Sequence, residues 1–594
     1  MTVEFPPNTS IGRNALAVLA SLPLFEDLEA AALVAVAEQV EWFCIPGGTT
    51  LFEQGDEADS LYAVSSGALG AYRDGPDGRR LIGRVRRGET VGENALVSGS
   101  RRTATVVALR DTELMRFSKD AFDNLARQFP SAMLNIARLT VARLELSLRH
   151  DTPRSSSRTF AIIGNHAGID TREFAANLSR ALAAYGRTEI FTLDDAAKHT
   201  SVWFNEIESR RDFILYVADA SSLAWTRQCV AQADTLVLLA DARDEPRPWP
   251  GIDVISARNP ASQIVELVIQ QRRLIRPGTA QQWLAQHPVA HHHHLRSKED
   301  IGRLARLITG NATGLVLSGG GARGFAHIGV IKALREAAIP IDHCGGTSVG
   351  SIMAAGVAGG WSTEQLISHH RRNFVERNPI GDYTLPLISL ASGRRVSRLL
   401  KREVGDIDIA DLPLPFFCIS TNLTRGEVYV HRSGQLWRAL RASVAIPGVL
   451  PPIFHEKQIL VDGGVLNNLP VDVMRSFGRG RIIGVDVGTE HSLVACDDVD
   501  ETSVLGRLRL LRTRRAPSII QLLLRAGSLS SALSNDANRE QSSILLAPPL
   551  DGIDVLDWKS FDRALEAGYR HTAERIAEIK TALEQDRRGV SVPY

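Results

Sequence analysis

Hydrophobic positions along this chain fall into three successive patterns. Between residues 20 and 150 the apolar runs are short and end in turn residues. Phe52-x-x-Gly55-Asp56-x-x-Asp59-x-Leu61-Tyr62-x-Val64-x-x-Gly67 reads as turn, strand, turn. Strand-like runs follow at 68–72, 81–85, 103–109 and 113–117, and Pro130 precedes an amphipathic helix carrying Met133, Ile136, Leu139, Leu144 and Leu148. The pattern predicts an N-terminal β-roll with helices over 20–150.

A polar stretch, DTPRSSS at 151–157, then separates a second pattern of fully apolar runs alternating with helical periodicity. Strands are expected at 160–163, 190–193, 213–217, 235–239 and 254–255, which makes 158–275 a Rossmann-like α/β domain. Its first loop, Gly164-Asn165-His166-Ala167-Gly168, looks like a phosphate loop that lacks the lysine, so it reads as structural. Asp194, Asp195 and Asp219 at strand ends read as caps. Residues 276–309 read as a linker ending in a short helix with Ile301, Leu304, Leu307 and Ile308. The run His291, His292, His293, His294 lies inside it. Four adjacent histidines cannot all face one ion, and no acid is placed with them in sequence, so no metal site is expected.

The third pattern, 310–590, opens on residues 314–360. The apolar run Gly314-Leu315-Val316-Leu317 is followed by Gly319-Gly320-Gly321-Ala322-Arg323-Gly324 and a helical pattern with Ile331, Leu334 and Ala338 on one face. A second strand then runs into Gly346-Thr347-Ser348-Val349-Gly350 and a small-residue helix. Two chemistries compete. The glycine loop fits G-x-G-x-x-G, with Asp342 near where a ribose-binding acid would fall. The second turn fits a nucleophile elbow: a serine at the apex of a strand-to-helix turn needs small residues two positions away, and both are glycine. The helix then aims its positive end at the reacting centre, and the first loop can offer backbone N–H groups to an oxyanion. The pair of turns favours acyl hydrolysis.

A serine needs a base. Asp462-Gly463-Gly464 follows the apolar run 458–461, and a carboxylate at a strand end beside two glycines can approach another backbone closely. Partial burial would raise its pKa far enough to take a proton near neutrality. His327 and His455 are the rival bases and rank behind it. Tyr383, Leu385, Leu387 and Ile388 form an apolar loop that either lines an acyl-chain groove or faces the core.

GGGARG, GTSVG and DGG, in this order, resemble the patatin-like phospholipases, which use a Ser–Asp dyad. The stretches LWRALRASVAIPGVLPP and LVDGGVLNNLP resemble the bacterial relatives of neuropathy target esterase. The resemblance implies a carboxylic ester hydrolase acting on phospholipids or lysophospholipids. It implies Ser348 as nucleophile, Asp462 as base, and Gly319, Gly320 and Gly321 as oxyanion donors, with no metal or organic cofactor for catalysis. Acyl transfer to a lipid acceptor would use the same residues, and a regulatory scaffold with an idle site is the rival of another class. The first pattern resembles a cyclic-nucleotide-binding domain, with Gly92-Glu93-Asn94-Ala95-Leu96 and Arg102-Thr103-Ala104-Thr105 as its phosphate cassette. There Arg102 would hold the cyclic phosphate and Glu93 the ribose 2′-hydroxyl, Gly92 would start the short helix, and Thr103 could bond guanine, leaving cAMP and cGMP both open as regulator. The other reading of this cassette is an interaction module that binds no nucleotide.

Composition narrows the setting. The 594 residues suffice for several domains, and 44% hydrophobic with 23% charged is ordinary for globular chains. A formal net charge of +1 gives no reason to expect nucleic acid. Five cysteines, Cys44, Cys229, Cys344, Cys418 and Cys496, lack C-x-x-C spacing and suit a reduced cytoplasm. The N-terminus does not read as a secretory signal, and no run of about 18 apolar residues exists to span a membrane. Membrane-anchored eukaryotic relatives differ there. Lipid contact should therefore be peripheral, at the inner face of the membrane. Arg507, Arg509, Arg512, Arg514 and Arg515, interleaved with leucines, make a basic amphipathic segment suited to an anionic surface; packing on the domain is the alternative.

Overall fold

Apart from a few isolated positions, the computed structural model describes residues 29–129, 159–196, 207–251, 264–488 and 535–584, with Leu19, Phe25 and Phe204. The helix expected after Pro130, the strand at 254–255, and Arg507, Arg509, Arg512, Arg514 and Arg515 lie outside the described residues. The chain forms two compact units, one built on residues 1–272 and 282–310, the other on 273–281 and 311–588.

Among its described residues the first unit opens with a helix α1 (Ala30–Ala37) and eight strands: β1 (Glu41–Ile45), β2 (Thr50–Phe52), β3 (Ser60–Ser66), β4 (Ala68–Gly75), β5 (Gly78–Arg86), β6 (Thr90–Val91), β7 (Thr105–Ala108) and β8 (Thr112–Ser118), after the isolated Leu19 and Phe25. They make two antiparallel sheets, β1-β8-β3-β6 and β2-β7-β4-β5. Alternation along β3 sorts its side chains: Leu61 and Ala63 face the cluster holding Leu33 and Val36 of α1, while Tyr62 and Val64 pack with Leu69, Val85 and Val106. The short helix α2 (Glu93–Ser98) sits between β6 and β7.

The next six strands, β9 (Thr159–Gly164), β10 (Thr188–Phe191), β11 (Phe213–Val217), β12 (Thr235–Asp241), β13 (Ile264–Gln270) and β14 (His291–Leu295), form one sheet in the order β10-β11-β9-β12-β13-β14. Every pairing is parallel. Helices α3 (Thr171–Leu182) and α4 (Lys298–Ile308) share one core with it through Phe174, Leu178, Leu304 and Ile308. This overturns the linker expected at 276–309: the histidine run is the sheet's sixth strand. Histidine carries no apolar signature, yet His293 is buried, and its Nε2 lies 2.8 Å from the buried Glu266 Oε2. An acid does accompany the histidines, brought from β13. Among the described residues no group of three potential metal ligands assembles. Arg110, buried beside Glu208 and Asp234 at 3.1 and 3.5 Å, ties the β7–β8 connection to this sheet.

The second unit holds β15 (Ala312–Leu317), β16 (His343–Thr347), β17 (Phe416–Asn422), β18 (Glu427–His431), β19 (Ile453–His455), β20 (Gln458–Asp462), β21 (Gly480–Val485) and β22 (Ile544–Leu546). Their order is β19-β20-β17-β16-β15-β21-β22, with β18 also paired to β17. The centre is parallel, while β18, β19 and β20 are antiparallel. Helices α5 (Ala326–Glu336), α6 (Val349–Ala358), α7 (Arg394–Val404), α8 (Leu436–Ser443) and α9 (Phe561–Glu574) contribute to its main core.

Candidate active site

Ser348 stands between β16 and α6 with φ 52° and ψ −127°. A side-chain-bearing residue rarely holds such a backbone, and doing so costs on the order of 1–3 kcal/mol. The turn is held by close packing. A Cβ on Gly346 would lie 2.5 Å from the Leu317 carbonyl oxygen, and one on Gly350 2.5 Å from that of Ser318. Only glycine fits at either position, as the elbow reading requires. No acid occupies the first turn of α6.

Strand β17 explains how Asp462 reaches this serine. Its residues 418–419 pair with both β16 and β18, so those two strands lie on opposite edges; residues 420–422 pair with both β18 and β20. Hence β16 and β20 share one edge of β17 and meet end to end. Thr347 registers with Ile419 and Asp462 with Ser420, the next position. Ser348 Oγ donates to Asp462 Oδ2 at 2.7 Å. The Ser348 amide donates to Ser443 Oγ at 3.0 Å, and the Asp462 amide to the Ala445 carbonyl at 2.9 Å. The end of α8 and the turn after it therefore hold both residues.

Burial raises the Asp462 pKa to about 6, against the downward pull of hydrogen bonds from Ser348 and from the Gly464 amide, 2.8 Å from Oδ1. His327 is not a base here. It is buried under the glycine loop with Nε2 2.9 Å from the Ser318 carbonyl, and burial pushes its pKa down to about 4. His455 is exposed on the β19–β20 hairpin, beside Tyr429. Asp342 lies before β16, at the far end of the strands, where its carboxylate accepts from the Thr313 amide at 3.0 Å. It is too remote from the glycine loop to serve a nucleotide there.

The glycine loop corrects one expectation. The Gly319 N–H already donates to the Asn468 carbonyl at 3.2 Å, while Asn468 Nδ2 donates to the Gly319 carbonyl at 3.2 Å. Gly319 is thus clamped and has no N–H to offer. Among the described residues, no acceptor pairs with the amides of Gly320 and Gly321, so these two N–H groups are open. Gly321 has φ 57°, and a Cβ there would collide with the Val555 carbonyl. Arg323 fixes the loop from behind, donating to the carbonyls of Val487, Leu550 and Gly488 at 2.8, 3.1 and 3.3 Å. Ser443 and Asn468 escaped the reading of motifs. Asn468 lay within LVDGGVLNNLP, but nothing in its spacing names a partner 149 residues away.

In the first unit, Gly92, Glu93 and Arg102 come together. Gly92 precedes α2 at φ 93°, Glu93 and Arg102 are buried, and Thr103 is exposed. Arg102 donates to the Ser60 carbonyl at 2.7 Å and the Gly92 carbonyl at 3.2 Å, and lies 4.2 Å over the Phe52 ring. Burial lowers its pKa.

Residues 315–475 match the family model of patatin-like phospholipase, 42–129 that of the cyclic nucleotide-binding domain, and 156–312 that of the neuropathy target esterase family P-loop like domain. An uncharacterised NTE family protein of Mycobacterium bovis is 33% identical over 94% of this chain and 95% of its own length. Lysophospholipase nte1 of Aspergillus niger is 28% identical over 97% of this chain, which spans only 44% of that protein. A solved cyclic nucleotide-binding domain from Methylobacillus flagellatus is 22% identical over 26% of this chain and 89% of its own, with a TM-score of 0.23.

Proposed function

This chain belongs to the neuropathy target esterase family, and on that premise we propose that it hydrolyses carboxylic esters of phospholipids or lysophospholipids and releases the fatty acid. The observation that carries the reading is the 2.7 Å hydrogen bond from Ser348 Oγ to Asp462 Oδ2 at a strained elbow. Relatives named lysophospholipase support the substrate class.

Ser348 Oγ attacks the ester carbonyl while its proton passes to Asp462 Oδ2. The carbonyl oxygen becomes an oxyanion facing the amides of Gly320 and Gly321. Collapse expels the alcohol, which takes the proton from Asp462, and leaves an acyl-serine. Asp462 then removes a proton from water as it attacks the acyl carbon, and the tetrahedral species breaks to fatty acid and free serine as Asp462 returns that proton to the departing Ser348 Oγ. A carboxyl pKa near 6 suits both proton transfers near neutrality.

We place this chemistry in a domain spanning 310–590. The N-terminal fold supports a cyclic nucleotide as regulator, its phosphate held by Arg102 and its ribose by Glu93. Because the proposed substrate is a membrane lipid, the protein works at a membrane surface.

The decisive experiment is labelling with a fluorophosphonate, mapping of the modified residue, and measurement of fatty acid released from lysophosphatidylcholine. Modification at Ser348 with loss of release is expected. Label elsewhere with activity retained would overturn the assignment. Calorimetry of the full chain with cAMP and cGMP, repeated with Arg102→Ala, tests the regulator; no heat with either leaves the first fold as a docking module.

A further inference from the structure

The loop between Asp382 and Ser392 does not face the core. Its stem is closed. The Ser392 amide donates to the Asp382 carbonyl at 2.8 Å, Ser392 Oγ donates to Asp382 Oδ2 at 2.7 Å, and the Thr384 amide donates to the Leu390 carbonyl at 3.0 Å. On this rigid stem, Tyr383, Leu385, Leu387 and Ile388 are between 70% and 83% exposed. Single exposed apolar residues need no explanation, but four large ones on one built loop do.

Charge indicates what covers them. Helix α7 begins directly after the stem and is tied to it, since the Arg395 amide donates to Asp382 Oδ2 at 3.0 Å. Arg394, Arg395, Arg398 and Lys401 of that helix are exposed, whereas Val396, Leu399 and Leu400 are buried. An apolar tip beside a cationic collar suits an anionic lipid surface, where acyl chains take the tip and headgroups the arginines. The stem also adjoins the candidate site. The amides of Leu390 and Ala391 donate to the carbonyls of Gly448 and Val449 at 2.8 and 3.0 Å. Those residues lie a few positions beyond Ser443 and Ala445, which hold Ser348 and Asp462. A second exposed pair, Phe454 opposite Ile459, lies on the hairpin that leads into Asp462.

We propose that Tyr383, Leu385, Leu387 and Ile388 form an interfacial anchor that inserts into an anionic lipid surface and sets the Ser348 site against it. The proposal rests on the lipid-esterase reading for its purpose, but it can be tested without turnover.

The full chain carrying Ser348→Ala is sedimented with vesicles of phosphatidylcholine alone and mixed with phosphatidylglycerol. Adding Leu385→Ser, Leu387→Ser and Ile388→Ser should weaken binding to the mixed vesicles about tenfold or more, with the melting temperature held. Arg394→Gln, Arg395→Gln and Arg398→Gln together should weaken it severalfold and flatten its salt dependence. In a separate Leu387→Trp variant, the introduced indole should shift to the blue on binding and be quenched by brominated acyl chains. An unquenched indole, or serine variants that bind like the parent, overturns the anchor. So does assembly of the parent chain into dimers that the serine variants dissolve, because the tip then meets a second copy. The two readings fail separately. No hydrolysis of dispersed lysophosphatidylcholine or short-chain ester sinks the esterase and leaves the quenching result intact. Quenching that fails while such hydrolysis persists sinks the anchor alone.

Discussion

After β9 and after β15 the chain makes the same move: a buried parallel strand, a glycine-containing loop, a helix. The two loops end differently. In the first, the Asn165 amide is spent on the Leu239 carbonyl at 3.0 Å, and His166 folds back so that Nδ1 accepts from the Gly168 amide at 3.0 Å. His166 Nε2 meets Asp244 at 2.7 Å. The start of α3 is closed by the Asp170 carboxylate, which accepts from the Glu173 amide at 2.8 Å. Two acids at that helix start repel a phosphate and take the place an anion would fill. In the second loop three glycines stand in a row, two of their amides stay open, and no acid occupies the first turn of α5, the helix that follows. A strand–loop–helix is therefore only a frame. What decides its use is whether the loop's own side chains fill the space in front of the helix.

The comparison breaks hardest at Ser348. Ser348→Ala should abolish fatty-acid release and fluorophosphonate labelling while melting like the parent; near-normal turnover would mean the turn between β16 and α6 is not the reaction site. Next comes Asp462→Asn, expected to reduce kcat by about 10²–10⁴. The parent's kcat/KM should climb with pH to a plateau above about 6, because the base must be ionised, and the variant should lose that limb. The same substitution should raise stability. Asp462 ionises in the unfolded chain above its ordinary value near 3.8 but in the folded chain only above about 6. Across that window the unfolded chain binds fewer protons, so the parent loses stability as pH rises, by roughly two pH units or on the order of 3 kcal/mol. Thermal melts at pH 8 should place the asparagine variant higher.

A sharper contrast pairs the two loops directly. Gly321→Ala should cut kcat by roughly 10²-fold or more, since the amide it displaces is one of the two proposed oxyanion donors. Gly168→Ala, whose Cβ would meet only the His166 ring at 2.9 Å, should leave esterase kinetics within twofold, by the usual smallness of remote effects. Comparable losses from both would erase the distinction. The smallest effect belongs to Asp170→Ala. Losing this cap should cost about 1 kcal/mol in unfolding of the first unit, read by urea titration, with no change in ester hydrolysis.

The site was legible where chemistry constrains the backbone locally. Ser348 between Gly346 and Gly350 can be read from five residues because the turn itself excludes side chains, and Asp462 because two glycines let it approach. What stayed hidden depends on long separations. The Gly319 amide is taken by a residue 149 positions on, and Ser443 supports Ser348 from 95 positions on. The histidine run failed for a different reason. Its burial depends on Glu266 of the neighbouring strand, so hydrophobic periodicity marks a linker where a strand exists.

The end-to-end meeting of β16 and β20 on one edge of β17 has a consequence for how the protein comes into being. The two proposed reacting groups are 114 residues apart, and neither can be placed until β17 has docked and β20 has filled the edge beyond Thr347. Closing a loop of that span comes late, because its entropy must be met before its contacts form. A chain emerging from the ribosome is thus chemically silent until residue 462 has left the tunnel and found that edge. In refolding from denaturant, regain of ester hydrolysis should trail regain of helical circular dichroism. With the proposed chemistry, a chain wired this way stays inert while it is still incomplete.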